Sequence, residues 1–534
     1  MRLTQTITGG LVAAALTALT TACGEAPSAQ APALAGRSAA WSAQFDTSAK
    51  GPAQEHFLRG VTNLHLFLYP DAEKAFQEAE KASPDFAMAY WGEALSHYHP
   101  IWREYERDEA RAVMLKLGAT PAARIAKAPT DREKAYIATL DVLYGDGDPA
   151  GRRRAYADAM EDLAGKYQKD DEALAFWALS RVVQYERTDE DLQERMRTAG
   201  IAQEVLRRQP RHLGAARYLI QSVDDPVHAD LGTIAAQLIL DAKPDGPEAR
   251  HVPTHISAQL GKWEDMAEVN WQAFQLSMDW TARNGSKLAD LNDHDYGHLL
   301  TYAQYGYLQL GKYGRARAMI DRARQDYEAS GRASEMGRAF ASVLSQYVVE
   351  TGSAEHLQTL KDLGAVGGSR SANVQYAIGL VSVRRGDLAR ARQSLAALDA
   401  PATSTRIMRA EVAAAIASAE KDTKTALTLL REAAASDTAQ VYVHFGPPGP
   451  YKPAHELLGE TLLAANQPAE ALTAFQEALR IYRGRTMSLL GASRAATATG
   501  NAALADRYAA RLREIWKLAD SDVPSLSQIR RQSQ

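Results

Sequence analysis

Apolar residues recur along the chain at alternating spacings of four and three, which places them on one face of a helix. In the segment 70–84, Ala72, Phe76 and Ala79 share such a face, and Pro84 ends the helix. Five later segments repeat the spacing: Ala316, Ile320 and Ala323; Ala391, Leu395 and Leu398; Ala426, Leu430 and Ala433; Ala471, Phe475 and Ala478; Ala505, Ala509 and Leu512. Small residues let two antiparallel helices approach closely and a large one fills the gap, so the pattern predicts repeated helix pairs.

Glycines occupy the turns of several predicted pairs, at Gly311, Gly386 and Gly500. Successive C-terminal units begin near residues 372, 407, 452 and 486, which scatters about the ~34-residue period of a tetratricopeptide (TPR) repeat. The chain therefore resembles TPR proteins, and the resemblance implies an all-α fold, a right-handed α-solenoid of helix-turn-helix repeats. We expect a helical region with diverged repeats over 50–290, a TPR array over 291–520 and a C-terminal tail over 521–534.

The N-terminus has the features of a secretory signal over residues 1–22, with a basic residue followed by a short apolar segment. The protein's single cysteine, Cys23, follows "LTTA", and this junction resembles a bacterial lipobox, although Thr20 stands where that pattern has leucine. The resemblance implies lipidation of Cys23. The Ala/Pro/Ser-rich stretch after it is predicted to be a flexible tether over 23–45, since it has few large apolar residues.

A glycine directly after Cys23 resembles lipoproteins sent to the outer membrane, so we expect an anchored protein that faces the periplasm. The alternative is an ordinary signal cleaved after Ala22, which would give a secreted or periplasmic soluble protein. In either case a single cysteine leaves no pair for a structural disulfide, so the fold must depend on its own packing.

The composition is that of a folded globular protein, with 46% hydrophobic and 24% charged residues. A formal net charge of −4 offers no basic face for phosphates, so we expect no nucleic-acid partner. The sequence has no G-x-S-x-G nucleophile elbow and no nucleotide-binding glycine motif. These features disfavour nucleophilic catalysis and nucleotide chemistry.

Longer blocks of the chain resemble a bacterial family of TPR proteins with an H-x-P-x-H central block. The blocks that carry the resemblance are "DFAMAYWGEAL" (85–95), "RAYADAM" (154–160), "HLGAARYLIQSVDDPVHADLG" (212–232), "HVPTHISAQLGKWEDMAEVN" (251–270) and "FGPPGPYKPAHELLGE" (445–460). The family is defined by its repeats and not by an activity. Where its pattern has two histidines, this chain has Arg217 and Gln221.

Four histidines of the central region could hold a metal ion. Pro253 favours a helix start that places His251 just before the helix and His255 one turn inside it, and His294 and His298 fall on the next predicted helix. Consecutive repeat helices pack side by side, so the four imidazoles could converge on a divalent cation such as zinc. The alternative, which we favour from the sequence, is that they hydrogen-bond the backbone and nearby carboxylates.

Other candidate binding residues each have a structural alternative. Asp224 and Asp225 could bind a cation, or cap a helix before Pro226. Phe445 and Tyr451 belong to a proline-rich loop, 441–453, that could line a ligand groove or only join two repeats. Two aromatic residues of the first repeats complete the set, Tyr90 and Trp91, which could bind a ligand or pack in the core.

The sequence as a whole predicts a membrane-anchored TPR scaffold that receives a protein or peptide in its concave groove. Catalysis and a cofactor are not expected. The alternative is a metal-binding or metal-dependent enzyme built on His251, His255, His294 and His298. A third possibility is capture of a small molecule with help from the 441–453 loop.

Overall fold

A computed structural model describes residues 41–184, 191–283, 285–363, 371–399, 401–443, 446–523 and 525–531. The predicted signal sequence, the lipidation candidate Cys23 and the loop residue Phe445 lie outside these ranges. Within them, no helix combines the length and apolar character that crossing a bilayer requires.

The first half of the chain is built from α-helices of about one to six turns and one short β-ribbon. Its helices are α1 Pro52–His65, α2 Tyr69–Ala82, α3 Ala87–Ser96, α4 Arg107–Leu117, α5 Pro121–Lys127, α6 Asp131–Leu143, α7 Pro149–Lys166, α8 Asp171–Val182, α9 Leu192–Arg208, α10 Leu213–Ser222, α11 Thr233–Ala242, α12 Pro247–His251, α13 Pro253–Gln259 and α14 Trp263–Arg283. The ribbon pairs β1 Tyr98–His99 with β2 Glu104–Tyr105 in antiparallel register.

The second half continues with helix pairs. A π-helical turn, His294–His298, runs directly into the first of them. The helices are α15 Leu299–Gln309, α16 Tyr313–Ala329, α17 Ser334–Thr351, α18 Leu357–Leu363, α19 Ser371–Arg384, α20 Leu388–Ala397, α21 Thr403–Ala419, α22 Thr423–Thr438, α23 Ala454–Ala464, α24 Pro468–Ile481, α25 Thr486–Ala498, α26 Ala502–Ile515 and α27 Leu526–Arg531. The predicted all-α, TPR-like solenoid is confirmed.

Many helices begin at a side chain that accepts a hydrogen bond from the backbone N–H three residues later, which satisfies a donor that the helix itself cannot. These caps are Thr120, Thr130, Asp148, Asp170, His212, Asp387, Asp422 and Asn501. The polar residues that separate the apolar stripes in the sequence therefore set where the helices begin.

Phenylalanine rings and glycines explain why neighbouring helices pack so closely. The ring of Phe76 on α2 lies against Gly60 on α1 and Gly92 on α3, and Phe475 on α24 lies between two glycines in the same way. A Cβ on any of these glycines would collide with the ring. The small–large–small pattern of the sequence is thus the packing rule of the repeat.

The C-terminal repeats fold back onto the middle of the solenoid at a buried arginine. Arg485, at the start of α25, donates to both carboxylate oxygens of Glu456 at 2.7 and 2.9 Å and to Glu350 at 2.8 Å. It also donates to the hydroxyl of Tyr305 on α15 at 2.9 Å. The side chain is 1% exposed, so this ion-pair network joins α15, α17 and α23 to α25 inside the protein.

The predicted chain divisions differ from the structure in two places. Ala43 and Phe45 are each 2% exposed, so the tether expected to reach residue 45 already belongs to the packed core there. The predicted tail contains α27, whose Leu526 and Ile529 are buried in the core. The described residues, from Trp41 onward, form one compact unit, which includes both predicted helical regions.

The ring contact of Phe475 makes the replacement Gly491→Ala a test of the packing rule. We expect Gly491→Ala to lower the free energy of unfolding by about 1–3 kcal/mol, because the added Cβ forces the ring of Phe475 to shift. Gly200 on α9 is the matched control, since a Cβ there has no neighbour within 4 Å. Gly200→Ala should be neutral or stabilising by up to about 1 kcal/mol. Equal effects of the two changes in urea unfolding would contradict this account.

Candidate metal centre

Three of the four predicted histidines meet at one point inside the solenoid. His251 ends α12, His255 lies on α13, and His298 ends the π-helical turn before α15. The Nε2 atom of His251 is 2.9 Å from the Nε2 atom of His255 and 2.9 Å from that of His298. We call this group the three-histidine site. His251 is fully buried, and the other two are partly accessible.

The amide of Asn270 on α14 sets the tautomer of His251. Its Nδ2 donates to Thr254 Oγ1 at 3.0 Å and to the carbonyl of Met266 at 2.7 Å, which fixes the orientation of the amide. Its Oδ1 therefore faces His251 Nδ1, at 2.5 Å. Because an amide oxygen can only accept, Nδ1 carries the proton and Nε2 presents a lone pair to the site.

The carboxylate of Asp224 sets the tautomer of His255. One carboxylate oxygen lies 2.7 Å from His255 Nδ1, and the other accepts from Gln259 Nε2 at 3.0 Å. The Asp224 side chain is 2% exposed, so this contact is shielded from water. A carboxylate that holds the outer nitrogen of a histidine is the usual support for a metal-ligating imidazole.

Two imidazole lone pairs that face each other at 2.9 Å repel unless a cation lies between them. Protonation of His251 does not supply that cation near neutral pH, because burial, helped by the neighbouring His255, lowers its pKa to about 3. Burial and the adjacent imidazoles also hold the pKa of His298 well below its usual value. The facing Nε2 lone pairs of His251 and His255, with His298 beside them, therefore form a candidate position for a metal ion.

His294, the fourth predicted ligand, is directed away from the site. Its Nε2 lies 2.7 Å from a carboxylate oxygen of Glu248, and its ring stacks on that of His298 with centroids 4.9 Å apart. Burial disfavours its charged form, but Glu248 outweighs burial through its charge and hydrogen bond, so the pKa of His294 is raised. A protonated imidazole cannot ligate a metal. The structure therefore supports a three-histidine set without His294.

Arg217 explains why His294 is held there. Its guanidinium donates to the second oxygen of Glu248 at 2.6 Å and lies over the ring of Phe67, 3.6 Å from the centroid. Glu248 thus joins Arg217 and His294 in one buried network. Arg217 supports this network and does not reach the three-histidine site.

A second group, His65, Glu172 and His212, also brings possible ligand atoms within 4.8 Å of one another. His65 Nε2 lies 2.7 Å from Glu172, but His212 Nδ1 accepts from the backbone N–H of Ala215 at 3.1 Å. The proton of neutral His212 is then on Nε2, 3.5 Å from Glu172, and this nitrogen has no lone pair for a metal. We interpret this group as a structural hydrogen-bond network. Sequence reasoning missed it because its members lie on α1, α8 and just before α10.

The two carboxylates of the Asp-Asp-Pro turn have different partners. Asp224 orients His255, as described above. Asp225 accepts from the backbone N–H groups of Val227 and His228 at 2.8 and 2.9 Å, and pairs with Arg195 at 2.7 Å. Asp225 is therefore a capping residue of the turn, and only Asp224 reaches the site.

The remaining candidate binding residues do not gather around one ligand position. Trp91 is fully buried among aromatic rings, and Tyr90 donates to the carbonyl of Pro84 at 3.0 Å. Tyr451 is 8% exposed and contacts the carbonyl of Ser342. The loop approaches the three-histidine site elsewhere, where Gly446 lies against the hydroxyl of Tyr302. The ring of Tyr302 in turn packs on all three histidines, with centroids 4.4–5.3 Å apart.

Comparisons with known proteins give no family assignment. No protein-family model matches the chain, and no curated protein matches it. Solved structures with some likeness include the Cut9–Hcn1 assembly of APC/C (11% identity, 91% of this chain, 97% of that chain, TM-score 0.32). Yeast Tom70 is another, with 14% identity over 90% of this chain and 99% of that chain and a TM-score of 0.36. A human IFIT1 dimer with PPP-AAAA has 10% identity over 84% of this chain and 94% of that chain, with a TM-score of 0.37. We draw no functional conclusion from TM-scores this low.

The buried neutral state of His251 predicts a pH dependence for the metal-free protein. An unfolded histidine has a pKa near 6.5, whereas folded His251 has a pKa of about 3. Between these values the unfolded chain binds the extra proton, so stability falls as the pH falls. The expected contribution of His251 is roughly 1.4 kcal/mol per pH unit.

The measurement is urea unfolding of chelator-treated protein at a series of pH values from neutral downward. His251→Gln should make the pH dependence of the unfolding free energy shallower. His56→Gln, at a partly exposed histidine of α1, is the control and should keep a steeper slope than His251→Gln. An unchanged slope in His251→Gln would show that His251 titrates normally in the fold.

Proposed function

We propose that this protein binds one divalent transition-metal ion through Nε2 of His251, His255 and His298. The observation that carries the proposal is two fixed tautomers: Asn270 and Asp224 hold the outer nitrogens of His251 and His255, so the Nε2 lone pairs of these two histidines face each other at 2.9 Å. Buried polar groups are rarely arranged against each other without a partner. A metal ion is the partner that fits neutral imidazoles.

The ligand set favours a particular class of ion. Imidazole nitrogens suit zinc, copper, iron and nickel, whereas magnesium and calcium prefer oxygen ligands. Three histidines with an open position are also the arrangement of catalytic zinc, and an ion held this way supplies Lewis acidity to a bound water or substrate. The residues of this chain orient the imidazoles and shield His251 from water. A metal-dependent activity is therefore compatible with the site.

The metal proposal is tested by titrating chelator-treated full-length protein with Zn²⁺, Co²⁺ and Ni²⁺ in a calorimeter. We expect one ion per chain, and a loss of affinity of about 10–100-fold in Asp224→Asn, which removes the support of His255. His255→Gln and His298→Gln should bind more weakly still, because each loses a direct ligand. Circular dichroism establishes that each variant is folded.

His294→Gln is the matched control, because His294 lies beside the site but turns to Glu248. It should keep the stoichiometry and most of the affinity. If His294→Gln loses the metal as completely as His298→Gln, the ion has four histidine ligands and not three. If the wild-type protein binds none of the three ions and its melting temperature does not respond to them, the metal proposal is wrong.

As a second part of the proposal, the solenoid is a membrane-anchored scaffold that binds a protein or peptide. Helical repeats of this class expose extended concave surfaces that suit such partners. The anchor rests on the sequence of residues 1–23, which resembles a lipoprotein signal and would place the protein in the cell envelope, facing the periplasm.

The anchor is tested by replacing Cys23 with serine. Cys23→Ser removes the thiol that would carry the lipid, so the protein should move from the membrane fraction to the soluble fraction. Detergent phase partitioning of wild type and variant, expressed at the same level, measures this change. A variant that stays with the membrane would exclude lipidation as its anchor.

A further inference from the structure

A cavity of about 270 Å³ lies apart from the three-histidine site, on the other side of the Glu248–His294 pair. The link between α1 and α2, the β-ribbon, α12 and α14 form its walls. Its lining residues include Phe67, Tyr69, Trp102, Glu104, Glu248 and Trp280. Drug-sized ligands occupy roughly 300–1,000 Å³, so this cavity suits a single-ring or short-chain molecule.

Negatively charged side chains outnumber positive ones around the cavity, although Arg217 and His294 pair with one of them, Glu248. Four carboxylates line it, those of Asp71, Glu104, Glu248 and Asp295, and among its described lining residues there is no lysine or arginine. Low-dielectric walls with charges of one sign concentrate ions of the opposite sign. The cavity therefore favours a cation and disfavours an anion.

The rest of the wall is aromatic and apolar, with Phe67, Trp102 and Trp280 among its members. A bare inorganic cation needs a compact shell of oxygen ligands, whereas these carboxylates are spread around a largely apolar lining. Such a wall instead suits an organic cation, whose apolar body contacts the rings while its charged end reaches a carboxylate.

Tyr69 gives a second, independent indication of a ligand. Its side chain lines the cavity and is 8% exposed, and its buried hydroxyl has no hydrogen-bond partner within the described part of the chain. Native structures rarely leave a buried hydroxyl unsatisfied. The N–H group of a bound cation would give this oxygen a donor.

We propose that this cavity binds a small organic cation, an ammonium or amidinium group on a flat or short apolar body. Glu104 is the carboxylate best placed to meet it from the solvent side, because its side chain is 65% exposed. Glu248 is already paired with Arg217 and His294, so it is not a free partner for the ligand. The proposal does not depend on a metal at the three-histidine site.

The experiment compares the binding of small aromatic probes that have similar shapes but are cationic, neutral or anionic. Benzamidine is the cation, benzamide the neutral analogue and benzoate the anion, and benzylamine is a second cation. Binding to the full-length protein is followed by isothermal titration and by intrinsic tryptophan emission, to which Trp102 and Trp280 of the cavity wall contribute. We expect at least one cation to bind at millimolar concentration or tighter, and about tenfold more tightly than benzamide or benzoate.

Two variants locate the bound probe. Glu104→Gln should weaken binding of the cation several-fold while it leaves benzamide unchanged, because it removes charge and keeps shape. Glu109→Gln is the matched control, since Glu109 is an exposed carboxylate of α4 outside the cavity. The proposal is overturned if neither cation binds, if benzamide or benzoate binds as well as the cations, or if Glu104→Gln and Glu109→Gln behave alike.

Discussion

Arg485 joins helices of distant repeats through one buried ion-pair network. Its guanidinium is buried, and Glu456, Glu350 and Tyr305 satisfy it from three other helices. Taking one partner away would leave an unpaired charge in the interior, which typically costs several kcal/mol. A nearby lysine, Lys452, donates to Glu456 at 3.1 Å and to Glu460 at 2.7 Å, so two cations and three carboxylates share the same region. An open solenoid has no such contact between its middle and its end.

The closed arrangement places the three-histidine site in a shielded interior. His251 is fully buried, and the loop residue Gly446 lies against Tyr302, the ring that packs on all three histidines. Exclusion of water strengthens the hold of Asn270 and Asp224 on the imidazole protons. Burial also disfavours the protonated forms of His251 and His298. The packing of the repeats therefore determines the protonation of the buried imidazoles.

Sequence reasoning identified the site only in part. It named His251, His255 and His298, and it named Asp224 as a possible cation ligand or cap, but it gave no sign that Asp224 orients His255. It included His294 because spacing alone puts His294 and His298 on one face. The chain folds that segment as a π-helical turn, and Glu248, 46 residues earlier, binds His294. Neither fact can be read from local spacing.

The apolar periodicity by itself determined the helices and the way they pair, because helix formation and the fit of Phe76 between Gly60 and Gly92 depend on neighbouring segments. The tertiary structure decided which histidines meet and which of their nitrogens carry protons. Those outcomes depend on Asn270, Asp224 and Glu248, whose side chains approach from other helices or turns. A sequence pattern specifies which residues share a face of a helix. The direction of a histidine lone pair depends on hydrogen bonds to the other ring nitrogen, and these form only after the helices have packed.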